Sequence, residues 1–200
     1  ARLGGEFLVM ELKEYQAIFL AMGNHRSKSL GIPGEEAEGI MSGVEFLKNV
    51  NLGKEVPLGK RVAVIGGGNT AIDAARSTLR LGTKPFILYR RTREEMPAFP
   101  AEILEAEEEG IEISYLVSPL QVIAENGKVS KLECMKNRLG PPDEDGRRRP
   151  VGIKGSNFFV EVDQVIAAIG EEADLSAIPK KLGEKENVIL PDERGGTKQK

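Results

Sequence analysis

Cysteine occurs once in the 200 residues, at Cys134, and histidine once, at His25. A lone thiol excludes an internal disulfide, a Cys-x-x-Cys redox pair and a cysteine-ligated iron–sulfur cluster within this sequence. One histidine likewise excludes a histidine-rich metal site, so no metal ligands are assigned. Tryptophan is absent and aromatic residues amount to 5%, which leaves few platforms on which nucleobases could stack. The net charge of −3 lacks the basic excess of a general nucleic-acid binder. No apolar run reaches the roughly 18 residues of a membrane span, and no signal-peptide pattern is present. The expectation is a soluble, cytoplasmic protein with neither nucleic acid nor membrane among its partners. A hydrophobic content of 40% is nonetheless enough for a packed core. The first residue is Ala1, not methionine, within what reads as structured sequence, so a piece of a longer protein is expected.

The most informative stretch present runs from Lys60 to Arg76, KRVAVIGGGNTAIDAAR. Arg61 to Ile65 is a near-continuous apolar strand, as expected when both faces are covered. Gly66-x-Gly68-x-x-Ala71 follows it and opens a helix. Gly66 allows a tight turn, Gly68 lets the backbone approach a pyrophosphate, and Ala71 is small enough for close packing of helix on strand. The helix N-terminus offers unpaired N–H groups and partial positive charge to an anion, and Asn69 and Thr70 can add side-chain hydrogen bonds. Such a glycine pattern alone is weak; the strand before it and the helix after it supply the required context.

About twenty residues further on, an acid at the end of the next strand would hydrogen-bond a ribose 2′-hydroxyl. This sequence instead reads Tyr89-Arg90-Arg91. Guanidinium groups suit a 2′-phosphate, so the preferred ligand is NADP(H). One charge-assisted hydrogen bond contributes roughly 1.5–3 kcal/mol, and tenfold discrimination takes about 1.4 kcal/mol. A single well-placed arginine therefore favours NADP over NAD by on the order of ten- to a hundredfold. Neighbouring residues on a strand point to different sides, so one of the two can hold phosphate while the other faces solvent.

Around this segment the pattern reads as strands at 6–10 and 17–21, then a polar link from Asn24 to Glu36. Ser42-Gly-Val-Glu45 is a capping box for a helix through Asn49. The helix after the glycine turn spans about Asn69 to Leu81, with Gly82 beyond its end. Pro85 to Tyr89 is a strand, Pro100 opens a helix that Gly110 closes, and Ile111 to Leu116 is again extended. The rhythm then changes: Gln121 to Ala124, Asn126-Gly127 and Val129 to Met135 form a hairpin signal with an Asn-Gly type I′ turn. A charged excursion from Pro141 to Arg149 precedes strands at 157–162 and 164–169. Strand–helix–strand units followed by a meander give an α/β, Rossmann-like, mainly parallel sheet with helices and a small antiparallel insertion. Both Ala21-Met22-Gly23 and Ala168-Ile169-Gly170 end apolar strands, an echo that marks two related nucleotide-binding domains with only the second mostly present. The expected division is 1–35, 36–170 and 171–200.

Other polar residues read more simply. Asp73 suits the first helical turn, Glu105 to Glu109 a solvated helix face, and His25 an exposed link. Arg147-Arg148-Arg149 beside Asp143-Glu144-Asp145 reads as a charged hairpin tip with partner docking as the alternative, and Cys134 as a small buried residue.

Three ordered motifs, Ile65 to Ala75, Tyr89 to Ala98 and Gly146 to Pro150, resemble the small (β) subunit of glutamate synthase. They also resemble the wider group of NADPH- and FAD-dependent reductases linked to iron–sulfur proteins. Ala21-Met-Gly23, Ile32-Pro-Gly-Glu35 and Val165 to Gly170 are similar too. The resemblance implies one of two dinucleotide domains of a flavoprotein, inserted into an FAD domain of the same chain. Electrons would pass from NADPH through flavin to iron–sulfur clusters and a partner such as the glutamate synthase large subunit. It also implies Gly66, Gly67, Gly68, Asn69 and Thr70 at the pyrophosphate, Arg90 and Arg91 at the 2′-phosphate, and Ala168, Ile169 and Gly170 at the coenzyme. No side chain is assigned an acid–base role. The flavin fingerprints and cluster cysteines are missing from this sequence, so the chain alone is expected to bind NADP(H) without completing flavin reduction. An NADP(H) sensor without turnover is the alternative. A short-chain dehydrogenase is disfavoured because Tyr15, Tyr89 and Tyr115 are followed at the Tyr-x-x-x-Lys spacing by Phe19, Arg93 and Pro119.

Overall fold

The computed structural model describes residues 19, 21, 23, 24, 26–143, 146–174, 184, 185, 188, 189, 193 and 196. The expected strand at 6–10 and His25 lie outside these residues, as does most of the expected strand at 17–21. The chain divides into two units, one of residues 27–170 and one of residues 1–26 with 171–200. In the second unit Arg26 pairs with Glu172 at 3.4 Å, and Glu184–Lys185 meets Val188–Ile189 as an antiparallel pair.

The larger unit begins at Ser27, before the expected start at residue 36. The polar link is part of this body because its few apolar residues are used: Leu30 and Ile32 pack on a buried cluster, and the Val122 N–H donates to the Pro33 carbonyl at 2.8 Å.

Its first strand, β1 (Ile40–Ser42), leads directly into helix α1 (Gly43–Asn51). The Ser42 hydroxyl accepts from the Glu45 N–H at 3.1 Å, which is half of the expected capping box. Then come β2 (Arg61–Ile65), α2 (Asn69–Arg80), β3 (Lys84–Tyr89), a 3₁₀ turn (Arg93–Glu95), α3 (Pro100–Glu108) and β4 (Glu112–Tyr115). The chain turns at Leu116, whose φ is 57°. A left-handed leucine costs roughly 1–2 kcal/mol; here the conformation is pinned from both sides, by Leu116 N–H to the Arg91 carbonyl at 3.0 Å and Asn137 N–H to the Leu116 carbonyl at 2.7 Å. Four antiparallel strands follow, β5 (Val117–Glu125), β6 (Lys128–Pro142), β7 (Arg148–Gly152) and β8 (Phe158–Glu161). The predicted Asn-Gly turn joins β5 to β6, with φ of 53° at Asn126 and 80° at Gly127. The chain then returns as β9 (Gln164–Ala167) to the first sheet.

That sheet has five strands in the order β1-β9-β2-β3-β4, all pairs parallel. The period-2 rule sorts its residues between two covers. Val62, Val64, Ile87 and Ile166 face one cluster with Phe46, Ile72, Ala75 and Ile103 of the helices. Ala63, Ile65, Leu88 and Val165 face the other, with Val122, Leu132 and Cys134 of the meander. The result is three layers: helices, parallel sheet, antiparallel sheet. The near-continuous apolar run at Val62–Ile65 is thereby explained, since neither face of β2 meets water. The helix layer is also tied by ions, because Arg76 of α2 bonds Glu109 just after α3 at 2.6 Å and Glu105 at 2.9 Å. Glu109 is therefore more than part of a solvated face, and the arginine holds its carboxyl below the usual range.

Candidate functional site

Strand order reverses at β2, with β3 and β4 on one side and β9 and β1 on the other. In open parallel sheets the crevice for a ligand lies beyond the carboxyl ends of the strands at such a switch point. Gly66 stands there. Its φ is +148°, and a Cβ would collide with the Ala168 carbonyl oxygen just past the end of β9. Gly67 is equally closed, because a Cβ would strike the Tyr89 ring at the end of β3. Gly68 differs: a Cβ there would find nothing nearer than Pro97 Cγ at 4.0 Å. The first two glycines shape the turn and the third leaves space in front of it.

Gly68 caps α2 with no side-chain hydrogen bond. The Gly66 N–H donates to the Leu88 carbonyl at 3.1 Å, and Ala71 N–H to the Gly68 carbonyl at 2.9 Å. Among the described residues, the N–H groups of Gly68, Asn69 and Thr70 have no protein acceptor. Unpaired donors at a helix N-terminus, with its partial positive charge, form an anion cradle. Thr70 is half-buried, and its methyl group lies near Gly43, where a Cβ would meet it at 3.1 Å. Close approach of the first turns of α1 and α2 therefore depends on Gly43.

Asn69 has a role that the sequence did not reveal. Its Oδ1 accepts from the Phe99 N–H at 3.0 Å, which holds the start of α3 beside the start of α2. Phe99 is 61% exposed at this mouth. Glu102, in the first turn of α3, carries a buried Oε2 without a hydrogen-bond partner. The only sequence signal for it was an acid two residues after Pro100.

The two arginines part company. Arg90 is exposed and enters no ion pair among the described residues, while its carbonyl accepts from Asn137 Nδ2 at 3.1 Å. Arg91, expected at the 2′-phosphate, is 4% exposed. Its Nη2 meets Asp143 Oδ2 at 2.5 Å and its Nε the Arg148 carbonyl at 2.8 Å. Side-chain alternation turns one arginine to solvent and the next into the meander, where Arg91 ties the strand end to the antiparallel layer. Arg148 in turn donates from Nε to Glu95 Oε1 at 2.6 Å. Hydrogen bonds from Thr92 first, and then Arg148, hold the Glu95 carboxyl below its ordinary value.

At the far side of the turn, Ala168 is buried and its N–H donates to the Ile65 carbonyl at 2.8 Å. Ile169 is 39% exposed, and Gly170 accepts from the Lys28 N–H at 3.1 Å. The turn, Arg90 and the Ala168–Gly170 segment thus share one edge of the sheet. Cys134 lies elsewhere, fully buried in the meander core, with its thiol pushed up to about 12 by burial. An open depression lined by Arg61, Lys131 and Phe159 is away from the cradle and shares none of its groups.

The chain that carries this glycine turn has counterparts among known proteins. Residues 9–200 match the family model described as pyridine nucleotide-disulphide oxidoreductase. The chain belongs to that family. The beta subunit of the NADPH-Fe(3+) oxidoreductase of Geobacter sulfurreducens is 46% identical over 188 residues, covering 91% of this chain and 28% of that protein. The glutamate synthase [NADPH] small chain of Halomonas elongata is 37% identical over 197 residues, covering 91% of this chain and 42% of that one. The chain therefore spans less than half the length of these relatives. Mycobacterium tuberculosis FprA in complex with NADPH shares the fold, with a TM-score of 0.71 at 20% identity over 90% of this chain and 56% of that one. The T. acidophilum thioredoxin reductase shares the fold too, with a TM-score of 0.62 at 22% identity over 85% of this chain and 50% of that one. The pyridine nucleotide-disulphide oxidoreductase family thus accounts for the α/β, Rossmann-like fold. Among the described residues no helix is long and apolar enough to cross a membrane.

Proposed function

We propose that residues 27–170 bind NADPH and present it to an FAD-bearing part of a larger cytoplasmic oxidoreductase. The observation that carries this reading is the open space at Gly68 beside unpaired N–H donors, with exposed Arg90 at the neighbouring strand end. The donor set fits a dinucleotide: backbone amides for the pyrophosphate and a guanidinium for a 2′-phosphate. When bound, the coenzyme supplies a hydride for a flavin. This chain's residues bind and orient, and no acid or base is required of them. Gly68, Asn69 and Thr70 hold the pyrophosphate, Gly66 and Gly67 keep the turn tight, and Arg90 holds the 2′-phosphate. Ala168, Ile169 and Gly170 border the site on its other side. Onward transfer of electrons to an iron–sulfur partner or a large subunit such as that of glutamate synthase completes the reading, and relatives named as a beta subunit and a small chain are in keeping with a partner.

The test is titration of the chain with NADPH and NADH. NADPH is expected to bind at least tenfold more tightly, and Arg90→Ala to reduce its affinity ten- to a hundredfold while leaving NADH unchanged, as one charge-assisted hydrogen bond predicts. Equal affinities in the unmutated chain would refute the preference.

A further inference from the structure

The paired strands β6 and β7 have an inner and an outer face. Asn137 points inward, donating from Nδ2 to the Arg90 carbonyl at 3.1 Å and to Ser118 Oγ at 2.8 Å. Arg148 does the same, reaching Glu95 at 2.6 Å. Alternation therefore turns Lys136 and Arg138 of β6, and Arg149 and Val151 of β7, the other way, with Ile153 next in that row. We propose that this outer face docks the acidic surface of a partner protein. The inference stands apart from the cradle and does not depend on what binds there.

Strand register brings the row together. Arg138 lies opposite Val151, and the Ile153 N–H donates to the Lys136 carbonyl at 2.8 Å. Arg149 is then the diagonal neighbour of Arg138, roughly 7–8 Å away for such positions. Val151 covers Gly140, where a Cβ would meet its Cγ2 at 2.8 Å, and Ile153 is 41% exposed. Lys136, Arg138, Arg149 and, just after Ile153, Lys154 are exposed. No acidic residue occupies a position on this face. Arg61, Arg76, Arg91 and Arg148 each hold a carboxylate, whereas the side chains of Arg138 and Arg149 make no ion pair or hydrogen bond among the described residues.

Like charges that neighbour one another across strands work against a sheet, so folding gains nothing from this cluster in a chain whose net charge is −3. An aliphatic centre with a charged rim is the layout of a protein interface. Facing carboxylates would turn the repulsion into attraction and speed the encounter. The inner-face bonds hold the strand pair in place before a partner arrives, which lowers the ordering cost of binding. Other anionic surfaces fit less well. The face carries no aromatic ring on which a single-stranded base could stack. Two aliphatic side chains on a strand pair also lack the apolar helix face that enters a bilayer.

The experiment titrates the full chain with fluorescent poly-L-glutamate, a labelled oligothymidylate and phosphatidylserine vesicles at low salt. Poly-L-glutamate is expected to bind, and Arg138→Glu with Arg149→Glu to weaken it at least tenfold. The control pair, Lys48→Glu with Lys84→Glu, makes the same charge change at exposed positions on α1 and β3 and should weaken it less than twofold. NADPH affinity should be unchanged by either pair. Arg138→Gln with Arg149→Gln gives the same ranking if the glutamate variants unfold. Absence of poly-L-glutamate binding, equal losses in the two pairs, or an equal loss of NADPH overturns the inference. Tighter binding of the oligonucleotide or of the vesicles, abolished by the arginine pair, also overturns it and gives the face to nucleic acid or to lipid.

Discussion

Single residues in the turn separate stability from binding. Gly66→Ala should unfold the chain at markedly lower denaturant, since it sets a Cβ against the Ala168 carbonyl at a φ that is strained for L-residues; strain of that kind costs of order 1–3 kcal/mol before the collision is counted. Gly68→Ala should behave in the opposite way. With nothing nearer than 4.0 Å, stability should fall by about 1 kcal/mol or less, the usual difference at a helix cap, while NADPH affinity drops at least tenfold. Urea melts and coenzyme titrations on both variants check the contrast. Arg91→Ala belongs with Gly66: it removes the buried Arg91–Asp143 ion pair and the donor to the Arg148 carbonyl, a loss of about 3 kcal/mol by analogy with other part-buried pairs. Equal melting of the Arg90 and Arg91 alanine variants would contradict the division of roles.

Among the elements, β2, α2, β3 and α3 were legible because local and tertiary demands agree in them. Arg61–Ile65 is apolar on both faces, the glycine turn separates strand from helix, and Pro100 suits a first helical position. The meander was legible as a hairpin, a charged tip and a further strand at 157–162, which the structure has at Phe158–Glu161, but not in the length of β6. Nothing periodic in Leu139 to Pro142 announces that β6 continues so far, or that Leu116 turns with positive φ, because distant residues such as Arg91 and Asn137 impose both. The partners of Arg91, Asn69 and Glu109 were hidden for the same reason. Burial of Cys134 in β6 gives a further prediction. Its folded-state thiol ionises near 12, above the ordinary 9.0, so the contribution is complete below pH 9 and stability declines as pH rises from there towards 12. A thiol reagent at pH 8 should label the folded chain far more slowly than the chain in urea.

The whole molecule responds to acid through the carboxylates that join its layers and helices. Glu95 and Glu109 both lie below the ordinary value of 4.5 in the folded chain. A depressed carboxylate stabilises fully above its unfolded value and ceases to do so as pH falls through its folded one. Stability should therefore be level above about pH 5 and fall below 4.5, and Glu95→Gln should flatten that fall in acid denaturation curves. Only the site's outline followed from reading the chain in order, since the contacts of Asn69 with Phe99 and of Arg91 with Asp143 join distant segments. The separation of Arg90 from Arg91 has an evolutionary side. Because the solvent-facing guanidinium bears no part of the architecture, its codon is open to drift towards an acidic side chain. A lineage could move from one nicotinamide coenzyme to the other by small steps there, while its neighbour, bound to Asp143, stays fixed by selection for folding.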